Sequence, residues 1–309
     1  MAPNYMPSMN FFYRLIAIFS LLGLANGLLF MASIRTRRSV WQGMGFGLTA
    51  AAGTAFFNWY TFAYIHYGQW MLWVAYLAVG IMIASLLIAP FFFLLAVFRA
   101  FGKGRRIIGR LAWGITCLAV LFGTTGAIRG NMQEVTEHVE ISSPELPATW
   151  DGFKIAEISD THVGPYYTNR NLPEDFLIAR REGAQMIALT GDLIDDVRVM
   201  PETARILTGE NGNFPYGIIF VWGNHEYYRN KKYIADELKT TPVTLLQNNH
   251  VVLTRGGKAL YIAGMDYPFA ADERIRITKE RNMADKAFSG IPAFYICSLP
   301  EKSDSSLHR

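Results

Sequence analysis

The chain has 309 residues, 51% of them hydrophobic and 17% charged, with a formal net charge of +4. These averages describe neither half. Residues 1–131 contain no Asp or Glu and keep Arg and Lys in a few clusters, which excludes a water-soluble domain there, while the mixture from Glu134 onward is ordinary and globular.

From the N-terminus, four stretches are long enough to cross a bilayer core, which takes about 20 predominantly apolar residues: 11–32, 44–65, 70–98 and 107–127. The third contains Pro90, which should tilt or kink a long helix rather than forbid it. The ten residues before Phe11 hold no basic residue and the apolar run after them is too long for a secretory h-region, so no cleavable signal peptide is expected. Arg35, Arg37 and Arg38 follow the first span, and Arg99, Lys103, Arg105 and Arg106 follow the third, whereas the "HYGQ" loop between the second and third has no Lys or Arg. Short basic loops stay cytoplasmic, so the N-terminus and everything after the fourth span are expected outside the cytoplasm, with Trp59, Trp70 and Trp73 as interfacial anchors. The basic residues lie between lipid spans, so they are not a nucleic-acid footprint. Gly43 and Gly47 form a small-xxx-small pair read as helix packing, and Arg14 and Asn58 are assigned no transport role. Cys117 and Cys297 make no metal pattern and are read as inert thiols.

After this membrane domain, residues 1–130, comes a linker with a first strand, 131–146, in which "HVEI" alternates with period two. "FKIAEIS" alternates likewise, "NLPEDFLIARREGAQ" reads as a helix, "MIALTGD" as a buried strand and "PETARILTGENG" as a helix ending at Gly. "GIIFVWGN" is another buried strand, "YIADELKT" a helix and "VVLTRGGKALYIAGMD" a hairpin. Strands alternating with helices predict an α/β layer structure over 147–290.

Three of these strands end in polar clusters: "SDTH" with Asp160 and His162, "GDLIDD" with Asp192, Asp195 and Asp196, and "GNHE" with Asn224, His225 and Glu226. Alone, each cluster reads as an ordinary turn or cap. In open α/β sheets, however, ligands bind at the carboxyl ends of strands, so three such ends can converge. Carboxylates mixed with imidazole and no thiolate suit Mn, Fe or Zn. A carboxylate such as Asp192 can bridge two cations, and two cations about 3.5–4 Å apart clamp the attacking and leaving oxygens of a phosphoryl group. Gly191 and Gly223, just before the ligands, are expected to let the backbone turn tightly and to leave room for substrate.

On "LPATWDGFKIAEISDTHVG", "ALTGDLID", "VWGNHEYY", "LLQNNHVVL" and "IAGMDYP", the chain resembles the calcineurin-like metallophosphoesterases, specifically their bacterial membrane-anchored group, over about residues 147–289. The resemblance implies a two-layered β-sandwich flanked by helices and a hydrolase of phosphomonoesters or phosphodiesters using two divalent metal ions. It implies Asp160 and His162 on the first ion, Asp192 as the bridge, Asn224 on the second ion and His225 as the catalytic imidazole that protonates the leaving oxygen or stabilises the charged transition state. Asp195 and Glu226 would orient the ligating groups. Location in the bacterial inner membrane with the phosphoesterase domain on the periplasmic or extracellular side is expected, with the lipid bilayer and a phosphorylated small-molecule or lipid-linked substrate as partners and no nucleic acid.

The resemblance also implies two later histidine-bearing elements, and this sequence contains neither. After "AFSGIPA" it reads "FYICSLPEKSDSSLHR", so residues 291–309 form a divergent tail whose one histidine is His308. A histidine at a terminus is not expected to replace several placed by strands. The expectation is a truncated chain whose second ion is short of ligands and whose activity is impaired; the alternative is an inactive truncated membrane protein.

Overall fold

The computed structural model describes residues 9–34, 37–63, 68–100, 104–132, 134–144, 146–268, 270, 273–291 and 295–298. His308 and the basic residues Arg35 and Lys103 lie outside the described residues. The chain divides into a helical unit up to Thr136 and an α/β unit from Glu137.

The helical unit contains α1 (Met9–Ile34), α2 (Arg37–Ala63), α3 (Gly68–Ala100) and α4 (Arg105–Met132). Among the described residues, three segments are long and apolar enough to cross a membrane: Arg14–Ala32, Trp70–Ala100 and Ile107–Gly130. The α2 helix is not among them. Its Gly43, Gly45, Gly47 and Gly53, with Thr54 and Asn58, add little hydropathy. What those glycines provide is proximity: a Cβ on Gly27 would lie 2.2 Å from the Gly43 carbonyl oxygen, and one on Gly43 would lie 2.6 Å from that of Gly27. The α3–α4 pair meets the same way, where a Cβ on Gly80 would lie 2.7 Å from the Thr124 nitrogen. Within lipid, such close packing is what holds helices together, because tails are as apolar as leucine. Asn58 serves its own helix, donating to the Thr54 carbonyl at 2.8 Å, while Asn26 donates from α1 to the Ser85 carbonyl of α3 at 2.8 Å. Pro90 sits inside α3, which continues through it.

In the α/β unit, β1 (Ile155–Ile158), β2 (Met186–Leu189), β3 (Ile218–Phe220) and β4 (Thr244–Leu245) form one parallel sheet in that order. The crossovers carry α5 (Leu172–Arg181), α6 (Met200–Asn211), and the pair α7 (Asn224–Tyr228) and α8 (Lys231–Leu238). A second sheet pairs β5 (Asn249–Arg255) antiparallel to β6 (Lys258–Gly264) and β6 parallel to β7 (Tyr295–Ser298), with α9 (Glu273–Ala287) between the last two strands.

Strand alternation explains the layering. Ile187, Leu189, Ile218 and Phe220 pack with Phe176, Leu207 and Ile234 of the helices, while Met186, Ala188, Ile219 and Val221 point the other way, onto Leu253, Leu260 and Ile262 of the second sheet. A strand buried on both faces therefore reads as a continuous apolar run. Each fully buried large aliphatic or aromatic side chain contributes about 1.5–3 kcal/mol.

Residues 134–143 carry no strand, although "HVEI" alternates. Val135, Val139 and Ile141 are 71%, 81% and 72% exposed. Alternation marks two faces, but a strand also needs an edge to pair with, and among the described residues none pairs with this segment. Within the tail expected to diverge, Tyr295–Ser298 form β7, which extends the second sheet.

Gly43→Val should lower the thermal midpoint of helix unfolding in detergent by an amount equivalent to about 1–3 kcal/mol, the usual penalty of overpacking. Gly45→Val, at a position where an added Cβ meets nothing within 4 Å, should change it little.

Candidate metal centre

The strands end in register: Ile158 is level with Leu189, and Leu189 with Phe220. The first two loops then run on side by side. The Asp160 N–H donates to the Gly191 carbonyl at 3.2 Å, His162 N–H to Asp192 O at 2.9 Å, and Val163 N–H to Leu193 O at 2.8 Å. Keeping this course requires φ of 56° at Asp160, 45° at His162 and 51° at Asp192. Such left-handed backbone at non-glycine residues costs of order 1–3 kcal/mol each and persists only where the surroundings enforce it.

Two glycines and one carboxylate do the enforcing. A Cβ on Gly191 (φ 101°) would sit 2.5 Å from the Gly223 nitrogen, and one on Gly223 would sit 2.1 Å from Asp192 Oδ1. The space these glycines leave is thus taken by each other and by Asp192, not held open for a substrate. Glu226, fully buried, accepts the N–H groups of Gly223 (2.9 Å) and Asp192 (3.0 Å) on Oε2 and those of Leu193 (2.8 Å) and Ile194 (3.3 Å) on Oε1. One side chain therefore staples the turn after β2 to the turn after β3. Burial, and then the neighbouring Asp192 charge, push the Glu226 carboxyl up, against the pull of its N–H donors.

Asp192 is itself 4% exposed, and its Oδ1 accepts the His225 N–H at 2.8 Å. The His162 Nε2 atom stands 3.7 Å from Asp160 Oδ1 and 3.9 Å from Asp192 Oδ2. Those gaps are too long for hydrogen bonds and close to the 3–4 Å that separates two atoms sharing an ion at bond lengths of about 2.1 Å. The amide end of Asn224 lies 3.1 and 2.8 Å from the two Asp192 oxygens. Turned nitrogen-inward it donates to both; turned oxygen-inward it makes an amide oxygen face the carboxylate, an arrangement that a cation between them would stabilise. Donor atoms of His162, Asp192 and His225 also lie within 4.8 Å of one another. A divalent cation fits this donor set of carboxylate, amide oxygen and imidazole.

Asp195 lies between the two imidazoles. Its Oδ1 is 2.6 Å from His225 Nδ1, 3.5 Å from His162 Nδ1 and 3.3 Å from Arg229 Nη2. Burial would raise the Asp195 carboxyl, but the two histidines and Arg229 outweigh it and hold it far below the usual range. Burial would lower His162, yet Asp195 and then Asp192 and Asp160 raise it.

The structure thus brings Asp160, His162, Asp192, Asn224 and His225 together, with Asp195 and Glu226 against them. Asp196 goes elsewhere: it is buried, caps the turn at Val197–Val199 and pairs with Arg198 at 2.8 Å. Arg229 had no signal in the sequence, since a lone arginine after a helix turn reads as surface, yet it is 5% exposed.

The sequence profile of the calcineurin-like phosphoesterase family matches residues 153–290. The chain is 30% identical over 198 residues to an uncharacterized metallophosphoesterase, YkuE, of Bacillus subtilis, covering 62% of this chain and 66% of that protein. It is 28% identical over 150 residues to an uncharacterized metallophosphoesterase of Aquifex aeolicus, covering 48% and 55%. It is 27% identical over 126 residues to a transmembrane protein with metallophosphoesterase domain of Bos taurus, covering 41% and 28%. The chain therefore spans less than two thirds of the length of these relatives.

Glu226→Ala should destabilise the α/β unit by at least about 2 kcal/mol, because it strands buried N–H groups that cost roughly 1–3 kcal/mol when unpaired. The urea midpoint of the purified chain reads this directly, and Glu137→Ala, in the exposed segment before β1, serves as the neutral comparison.

Proposed function

From its calcineurin-like metallophosphoesterase domain at residues 153–290, a domain of a metal-dependent hydrolase family, we propose that this chain hydrolyses phosphomonoester or phosphodiester bonds outside the cytoplasm, using two divalent cations. The convergence of Asp160, His162, Asp192 and Asn224 at in-register strand ends carries this reading. In it, Asp160 and His162 would hold the first ion, Asp192 would serve both and Asn224 would hold the second, with Mn, Fe or Zn suiting the donors. Bound there, the cations would supply positive charge that stabilises the phosphoryl oxygens.

The side chains around them do the remaining work. With its Nδ1 against Asp195, His225 has Nε2 as the atom that gives a proton to the leaving oxygen. Asp195 fixes that ring orientation, and its hydrogen bonds to His162 and His225, with Arg229 beside them, keep Asp195 ionised. A second reading is favoured by one observation: His225 shares the close donor cluster with His162 and Asp192, which suits a ligand. Metal content separates the roles. His225→Gln should lower kcat by about 10²–10⁴-fold, the usual contribution of a general acid. If its metal stoichiometry stays intact, His225 is the acid; if metal is lost, it is a ligand. Asp192→Asn should abolish both metal binding and turnover.

The same reading makes the chain a multi-pass protein of the bacterial inner membrane, with α2 as a fourth span. The basic clusters after the first and third spans and the lack of Lys or Arg in "HYGQ" support an outward-facing phosphoesterase domain. A phosphorylated small molecule or lipid-linked compound in the envelope is then within reach. In a background with Cys117→Ser and Cys297→Ser, an impermeant maleimide should label Ser143→Cys in intact cells and leave Gly104→Cys unlabelled until lysis. The opposite pattern, or labelling of both, would rule the orientation out.

A further inference from the structure

Three of the motifs in the sequence hold residues that the metal centre does not use: Trp222 and Tyr227 of "VWGNHEYY", Gln247 and Asn248 of "LLQNNHVVL", and Asp266 of "IAGMDYP". In the structure they meet around one carboxylate. Asp266, 5% exposed, accepts the Tyr227 hydroxyl at 2.8 Å on both oxygens, the Gln247 amide at 2.7 Å and the Lys231 ammonium at 3.2 Å. Its own N–H donates to Asn248 Oδ1 at 2.9 Å, and its Oδ1 takes the Tyr267 N–H at 2.8 Å. A buried carboxylate is costly unless it is paired and hydrogen-bonded, and this one is both.

Packing puts this carboxylate beside the turn after β3. A Cβ on Gly264, the last residue of β6, would lie 2.7 Å from Val221 Cγ1 and 2.3 Å from Leu246 Cβ, so only glycine lets the end of β6 come this close. Asp266 follows two residues later, and Trp222 is the residue after Val221. Gln247 arrives from the same edge, because the Leu246 N–H before it donates to the Phe220 carbonyl at 2.9 Å. Lys231 closes the group: its Nζ lies 4.6 Å from the centre of the Trp222 ring and 3.9 Å from that of Tyr227, and it donates to the Tyr227 hydroxyl at 2.5 Å.

What the carboxylate grips is α7. This helix has five residues, too few to persist on helix propensity alone, and it carries Asn224 and His225 at its start and Tyr227 further on. Tyr227 stands about 200° around the helix from His225, so their side chains leave on opposite sides. On the inner side the His225 N–H donates to Asp192 Oδ1 at 2.8 Å and the ring Nδ1 lies 2.6 Å from Asp195 Oδ1. On the outer side Asp266 holds Tyr227. Two grips fix the roll of a short helix where one would leave a hinge. We propose that Asp266 is a positioning residue of the metal centre: through Tyr227 it sets the roll of α7, and with it the places of Asn224 and His225. The kinetic arm of its test rests on the hydrolase reading above, and the exchange arm on the hydrogen bonds alone.

The exchange arm follows amide hydrogen exchange by mass spectrometry in the full metal-free chain in detergent. Tyr227→Phe keeps the ring and loses the hydroxyl, while Asp266→Asn keeps the shape and loses the charge. Each should speed exchange in residues 222–228 by about tenfold or more, as expected for a segment that opens locally after losing a charge-assisted hydrogen bond, and leave 155–163 and 186–190 at the parent rate. Asp236→Asn, on the exposed side of α8, should change none of the three. Unchanged exchange in 222–228, or an equal rise in all three segments, overturns the proposal, since a merely structural role loosens sheet and helix together. The kinetic arm measures turnover of bis(p-nitrophenyl) phosphate by the Mn²⁺-loaded chain. In both variants kcat should fall about 10–100-fold with KM unchanged, the usual effect of removing a partner that orients a working group. The double variant should be no slower than Asp266→Asn alone, because both substitutions break one link. A parent-level kcat, a loss confined to KM, or a double variant slowed by the product of the two single effects overturns the proposal. If Asp266→Asn does not fold, Tyr227→Phe alone decides both arms. A parent chain that turns nothing over sinks the hydrolase reading and leaves the exchange arm to decide.

Discussion

The carboxylate of Glu226 is the fixed point of the α/β unit. It takes the N–H of Gly223 from the turn after β3 and those of Asp192, Leu193 and Ile194 from the turn after β2. Gly191 and Gly223 let these two turns approach so closely that a single methyl on either would collide with backbone or with Asp192. The convergence of the ligand cluster follows from that approach. Asp192 can stand beside Asn224 and His225 only because β2 and β3 end level with each other and their turns are clamped.

The sheet makes the clamp affordable. Asp160, His162 and Asp192 hold left-handed backbone, and that strain is offset by the burial of β2 and β3 between helices on one face and the second sheet on the other. Rigid strands thus deliver ligands from loops, and a loop supported in this way has the precision of the strand that feeds it. Electrostatics then divides the labour within the cluster. Asp195, held ionised by two histidines and Arg229, orients imidazoles rather than competing for protons, and Glu226, pushed up by burial, sits behind Asp192 as a structural acceptor.

The short helix α7 carries that order outward. Its first residues face the metal centre, while Asp266 and Lys231 hold the Tyr227 phenol on the other side of the helix turn. In the helical unit a different economy operates: glycines in α1, α2, α3 and α4 trade hydropathy for proximity, which is why α2 packs tightly against α1 yet is not apolar enough by composition to stand with the other three.

By itself the sequence determined the helical unit and the α/β alternation, because long apolar runs and period-two strands are local patterns. It also placed the candidate cluster, since Asp160, His162, Asp192, Asn224 and His225 each follow a strand and strands of a parallel sheet end on one side. It could not decide whether "HVEI" would pair, because a strand needs an edge that lies elsewhere in the chain. Nor could it show that Gly191 and Gly223 fill each other's space, that Arg229 is buried against Asp195, or that Asp196 turns to Arg198 while its neighbour turns to the imidazoles. Those outcomes depend on which residues distant in the chain come within a few ångströms, and only the tertiary structure fixes that.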